Sequence, residues 1–88
     1  MIKVELIAAA GCSKCDGARS ELKAAAESVA KDRMIWREVN VLDEIDYVVS
    51  LGVLTLPAVA IDGALVFKSL PSAAEMQGEI ARRLERHR

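Results

Sequence analysis

The sequence predicts an α/β fold in which a four-stranded mixed sheet carries helices on both faces, in the order β-α-β-α-β-β-α. Three observations lead there. Two β-branched, apolar stretches are each followed by a segment of helical period. Asp62-Gly63 then sits between two short apolar runs, the strongest two-residue hairpin signal. Last, a Ser-x-x-Glu box opens a final amphipathic segment. Strands separated by helices pair in parallel, and a hairpin pairs antiparallel, so the sheet must be mixed.

Residues 2–8, with Ile2, Val4, Leu6 and Ile7 around Lys3 and Glu5, read as a strand. Cys15, Ala18, Leu22, Ala25 or Ala26, and Val29 recur at spacings of three and four. Arg19, Glu21, Lys23 and Glu27 occupy the other positions, which predicts an amphipathic helix of about four turns. Lys31-Asp32-Arg33 breaks that pattern, and Met34 to Val41 reads as a second strand. Asp43 is the expected N-cap of a second helix, with Ile45, Val48 and Val49 as its apolar face and Gly52 as its stop. Thr55-Leu56-Pro57 opens the strand Ala58–Ile61, and Ala64–Phe67 completes the hairpin. Ser72 and Glu75 form the capping box, and Met76, Ile80 and Leu84 define one face of the last helix. Trp36 reads as a packing residue.

Composition narrows the functional classes. At 88 residues the chain has room for one domain, spanning 1–88, and one modest core. No apolar run approaches the ~20 residues that cross a bilayer, so no membrane association is expected. The formal net charge is −1 with both signs interspersed, which provides no electrostatic footprint for nucleic acid. Arg82, Arg83, Arg86 and Arg88 complement the negative end of the last helix. The start, Met1-Ile2-Lys3-Val4, lacks the signature of a secretory signal, and the expected location is cytoplasmic.

The chain's two cysteines, Cys12 and Cys15, stand as Gly11-Cys12-Ser13-Lys14-Cys15 where the first strand gives way to the first helix. At a helix start several N–H groups lack partners and the dipole is positive, so a thiolate is favoured over a thiol. The helical period places Cys15 on the buried stripe and leaves Cys12 at the accessible mouth of the turn. Residues three apart are neighbours on a helix, so the pair can close a small disulfide ring. In a reducing compartment such a pair is catalytic or metal-handling rather than a staple. A four-residue ring would also restrain the unfolded chain little. Helix-start placement lowers thiol pKa values to ~3.5–7.5 in such motifs. Gly11, Ser13 and Lys14 flank the pair and are expected to tune its pKa and potential, with Lys14 adding a nearby positive charge.

The Cys-x-x-Cys at the first strand-to-helix turn, the element order, and the Thr-x-Pro before the hairpin together resemble the thioredoxin-like superfamily. Within it, the chain is most similar to small, glutaredoxin-sized redox-disulfide proteins. The resemblance runs from about Ile2 to Leu84 and includes Gly52-Val53 at the end of the second helix. It implies a thioredoxin-like fold, a redox-active Cys12–Cys15 disulfide and no other cofactor. It also implies a cis peptide at Pro57 in a substrate-binding loop made of Thr55, Leu56 and Pro57, where Leu56 pairs its backbone with an extended substrate segment. The implied activity is thiol–disulfide oxidoreduction by a monomer, acting on a protein or small-molecule disulfide and recharged by a separate reductant.

Departures from the family pattern carry information of their own. Thioredoxins keep a buried acid six residues before the first cysteine, where this chain has Leu6. Glu5 lies one residue away, on the other face of the strand, and is expected to be solvated. Glutaredoxins carry a Gly-Gly-x-x-Asp turn that holds glutathione. Here Ser69-Leu70-Pro71-Ser72 stands in that place, which counts against glutathione as the dedicated partner. The alternative function is soft-metal handling, with copper or zinc bound by the same cysteine pair. Metal-chaperone domains of that kind have a β-α-β-β-α-β order and no Thr-Leu-Pro feature, so the C-terminal half argues against them. A structural zinc site needs four ligands, and His87 is the only other soft one.

Overall fold

The computed structural model describes residues 2–9 and 13–86, with residues 13–15 described by their backbone alone. Its elements run β1 (Ile2–Ala8), α1 (Ser13–Ala30), a single 3₁₀ turn (Lys31–Arg33), β2 (Met34–Asn40), α2 (Ile45–Leu51), β3 (Ala58–Ile61), β4 (Ala64–Phe67) and α3 (Ala73–Arg86). The predicted order is reproduced in full. The strands form one sheet in the order β2-β1-β3-β4, with β1 parallel to β2 and antiparallel to β3.

The register sorts the side chains into two layers. Ile2, Val4 and Leu6 point to the face covered by α1 and α3, where they meet Ala18, Leu22, Ala26, Met76 and Ile80. Small residues on α1 let that helix lie close to the sheet. Gln77 ties the two helices together, donating from Nε2 to Ser28 Oγ at 2.8 Å. Ile7, Val39, Val48, Ala58 and Ala60 form a smaller cluster on the opposite face under α2. Helices therefore cover both faces, as expected.

Local signals act where the sequence places them. Asp62 and Gly63 take positive φ values of 53° and 81°, the pair that a tight primed hairpin turn requires. Ser72 Oγ accepts from the Glu75 N–H at 3.1 Å, and Glu75 Oε1 accepts from the Ser72 N–H at 3.0 Å, closing the capping box. Gly52 ends α2 with φ of 85°, its N–H directed at the carbonyls of Val48 and Val49.

Two expectations at α2 are corrected. The N-cap is Glu44 rather than Asp43, and its side chain makes no capping bond. Asn40 organises this entry instead: its side-chain Oδ1 accepts from the Leu42 N–H, and its carbonyl accepts from the Asp43 and Glu44 N–H groups. Because the helix starts there, it rolls so that Tyr47, Val48 and Leu51 face the sheet. Ile45 and Val49, expected inside, are 55% and 69% exposed.

Candidate functional site: the cysteine turn and the cis-proline loop

β1 sits between β2 and β3, and the chain leaves its end at Ala8 to enter α1 at Ser13. Gly11 and Cys12 lie outside the described residues, as do the side chains of Ser13, Lys14 and Cys15. The backbone nevertheless places position 12 immediately before the first residue of an 18-residue helix and position 15 within its first turn. Unpaired N–H groups and the positive end of the dipole are concentrated at that point.

The proline loop reaches the same end of the sheet. Ala58 pairs with Ile7, so Pro57, one residue earlier, lies beside the end of β1 from which the cysteine turn departs. The Leu56–Pro57 peptide is cis, and Pro57 is buried. Thr55 Oγ1 donates to the Lys68 carbonyl at 2.7 Å, fastening the loop to the end of β4. Leu56 is 36% exposed and Leu54 is 95% exposed. The loop thus presents apolar side chains beside the end of β1 that leads to the cysteine turn.

Glu5 is the largest departure from expectation. It is fully buried, not solvated. Glu5 is on the α2 face of β1, and that strand is flanked on both sides and covered on both faces, so alternation no longer leads to solvent. Arg37, its register partner on β2, donates from Nη1 to Glu5 Oε2 at 2.6 Å. The Tyr47 hydroxyl, from α2, donates to Glu5 Oε1, and the second arm of Arg37 donates to Glu44 Oε1. The Arg37 guanidinium also lies 5.9 Å from the centre of the Tyr47 ring. A buried carboxylate costs several kcal/mol unless it is paired and hydrogen-bonded, and here both oxygens are satisfied. Donation to Glu5 is the main reason the Tyr47 hydroxyl is pushed up to about 12, with desolvation second. The Arg37 guanidinium is held more firmly protonated by Glu44 first and Glu5 next. The network fastens α2, and through it the 52–57 segment, to the middle of the sheet.

Arg19, expected on the solvated face, sits at its edge with a side chain 42% exposed. Its Nε atom is buried, and its side chain reaches Asp16 at 3.3 Å and Glu38 at 2.5 Å. The spacing 15–19–22–26 continues the buried stripe through position 19, a signal present in the sequence. Trp36 packs against the main core as expected and donates from Nε1 to Glu38 Oε2 at 3.4 Å.

The sheet order, the cysteine pair at a helix start and the cis-proline beside it define a thioredoxin-like protein. The thioredoxin-domain profile matches residues 1–81, and the chain belongs to the thioredoxin family. Its redox and disulfide-related character follows from that membership. No curated protein is similar enough in sequence to count as a match. Among solved structures, a malarial protein superposes with a TM-score of 0.77 at 15% identity, covering 96% of this chain and 98% of that one. Chloroplastic thioredoxin z gives a TM-score of 0.77 at 18% identity, over 97% of this chain and 80% of that one. The oxidised thioredoxin of Plasmodium falciparum gives 0.71 at 13% identity, over 93% and 80%. At these identities the likeness is one of fold. Among the described residues, no helix is long and apolar enough to cross a membrane.

Proposed function

We propose that the protein is a thiol–disulfide oxidoreductase that works through Cys12 and Cys15. The observation that carries the reading is the convergence of a Cys-x-x-Cys helix start and a cis-proline loop at one end of the two middle strands. Cys12 thiolate attacks a substrate disulfide, forming a mixed disulfide and expelling one substrate thiolate. Cys15 thiolate then attacks the Cys12 sulfur, closing the Cys12–Cys15 disulfide and expelling the second. The substrate gains two electrons and takes up two protons, and a separate dithiol donor restores the reduced pair. Leu56, beside Pro57, offers backbone pairing to an extended substrate segment, with Leu54 and Leu56 supplying apolar contact. Gly11, Ser13 and Lys14 tune the pair, which needs no further cofactor. We place this chemistry in the cytoplasm.

Insulin reduction with a dithiol donor, combined with titration of the pair against buffers of defined potential, tests this reading. Wild type should form the Cys12–Cys15 disulfide and reduce insulin. Cys12→Ser should abolish turnover, and Cys15→Ser should trap the mixed disulfide. Turnover that survives loss of Cys12 refutes the mechanism. Tight copper or zinc retention with inert exchange kinetics would establish metal handling instead.

A further inference from the structure

Charge is divided unevenly along the chain. From Glu38 to Phe67 it carries Glu38, Asp43, Glu44, Asp46 and Asp62 but no lysine or arginine, so all 12 of those cations lie outside this stretch. Three of the acids have partners within the fold. Glu38 meets Arg19, Glu44 meets Arg37, and Asp62 meets Arg83 and accepts from the Lys3 N–H. Among the described residues, Asp43 and Asp46 have no such partner, and both are exposed. Leu42, Ile45 and Val49 are exposed in the same short segment. Residues three and four apart are neighbours on a helix, so Val49 adjoins both Ile45 and Asp46 on the outer face of α2. Acids at this end complement the helix dipole, but that leaves three large apolar side chains in water unexplained, and clustered exposure of this kind marks interaction surfaces. Its position suits one. The Val41 N–H donates to the Ala8 carbonyl at 3.0 Å, so the segment begins at the end of β1 that leads to the cysteine turn. Pro57 stands beside the same end from the β3 side.

We propose that the entry and outer face of α2 select the disulfide substrate, and that this substrate is a protein segment carrying basic and apolar residues beside its disulfide. This deepens the thiol–disulfide reading above and rests on it. Lysine or arginine side chains of the substrate face Asp43 and Asp46, and its apolar side chains cover Leu42, Ile45 and Val49. Glu44 is already engaged by Arg37 and Glu5 is buried, so the two free aspartates carry the attraction. Lys68 lines a small cleft with Gly52, Leu54 and Thr55 on the β4 side of the proline loop. A basic flank is therefore drawn toward α2 and turned away from Lys68, which fixes the direction in which the segment lies across Leu56. Charges at the edge of an interface act chiefly on encounter and on the choice of partner, and they weaken with salt.

Two synthetic peptides test this, each closed by one disulfide and sharing the same leucines, with lysines in one and glutamates in the other. The full chain reduces each with a dithiol donor at neutral pH, and each kcat/KM is divided by that for the neutral hydroxyethyl disulfide. Losses of fold or of thiol reactivity cancel in that ratio. Wild type should favour the lysine peptide, and the preference should shrink as salt rises. Asp43→Asn combined with Asp46→Asn should lower the lysine-peptide ratio about fivefold, the scale of two exposed ion pairs, and the glutamate-peptide ratio should not fall with it. Asp43→Lys combined with Asp46→Lys should reverse the preference. Ile45→Ser combined with Val49→Ser should lower both peptide ratios about threefold, through lost apolar contact. A lysine-peptide ratio unmoved by the Asn pair or by the Ser pair, or both ratios lowered equally by the Asn pair, overturns the assignment. If wild type reduces hydroxyethyl disulfide but the ratios do not move, this inference alone fails; if wild type reduces none of the three, it fails together with the reading beneath it.

Discussion

Tyr47→Phe isolates the contribution of one hydroxyl to the buried Glu5 network. The substitution keeps the ring against Arg37 and removes only the donor to Glu5 Oε1. Glu5 is fully buried, so water cannot replace that donor, and the oxygen keeps no described partner. A hydrogen bond to a charged group is worth about 1.5–3 kcal/mol. At 4–8 °C per kcal/mol for a domain of this size, a loss of ~2 kcal/mol lowers Tm by about 8–16 °C. Circular-dichroism melts and urea titrations at neutral pH measure it. The alkaline limb adds an independent check. The Tyr47 hydroxyl ionises at about 12 in the fold against 10.0 when unperturbed. Between those values the unfolded chain has lost the proton and the folded chain still holds it. The contribution is therefore complete below pH 10 and is lost as pH rises from 10 to 12. Wild type should lose its margin over Tyr47→Phe across that window. A neutral-pH difference below about 0.5 kcal/mol, or parallel stability curves from pH 10 to 12, would show that the hydroxyl does not support Glu5.

Gly52→Ala should cost about 1–2 kcal/mol in urea denaturation, because φ is +85° there while nothing lies within 4 Å of the added methyl, so the whole cost is backbone. A neutral result would mean that the end of α2 readjusts. Ser72→Ala removes one half of the capping box and should cost about 1 kcal/mol. Glu75→Gln should cost less, because its amide oxygen can still accept from the Ser72 N–H.

The features that were legible in the sequence share a local physical cause. The hairpin at Asp62-Gly63, the stop at Gly52 and the box at Ser72 and Glu75 are each decided by residues within four positions of one another, and each formed where expected. The buried faces of α1 and α3 follow from their period in the same way. What the sequence hid depends on topology. Glu5 looks like a polar residue on a half-wet strand until β1 is known to lie between β2 and β3; its partners Arg37 and Tyr47 are 32 and 42 residues away. Asn40 displaced Asp43 at the start of α2 because its side chain and carbonyl together bind three successive N–H groups, an alternative that a search for a single capping residue does not weigh. Arg19 is the intermediate case. Its spacing from position 15 was visible, but the reason for burying part of a guanidinium there was not, because Glu38 comes from another strand. These charged clusters thus draw on four elements, β1, β2 and α2 for Glu5 and its partners and α1 with β2 for Arg19. The cysteines and the proline loop, by contrast, are written in two short motifs.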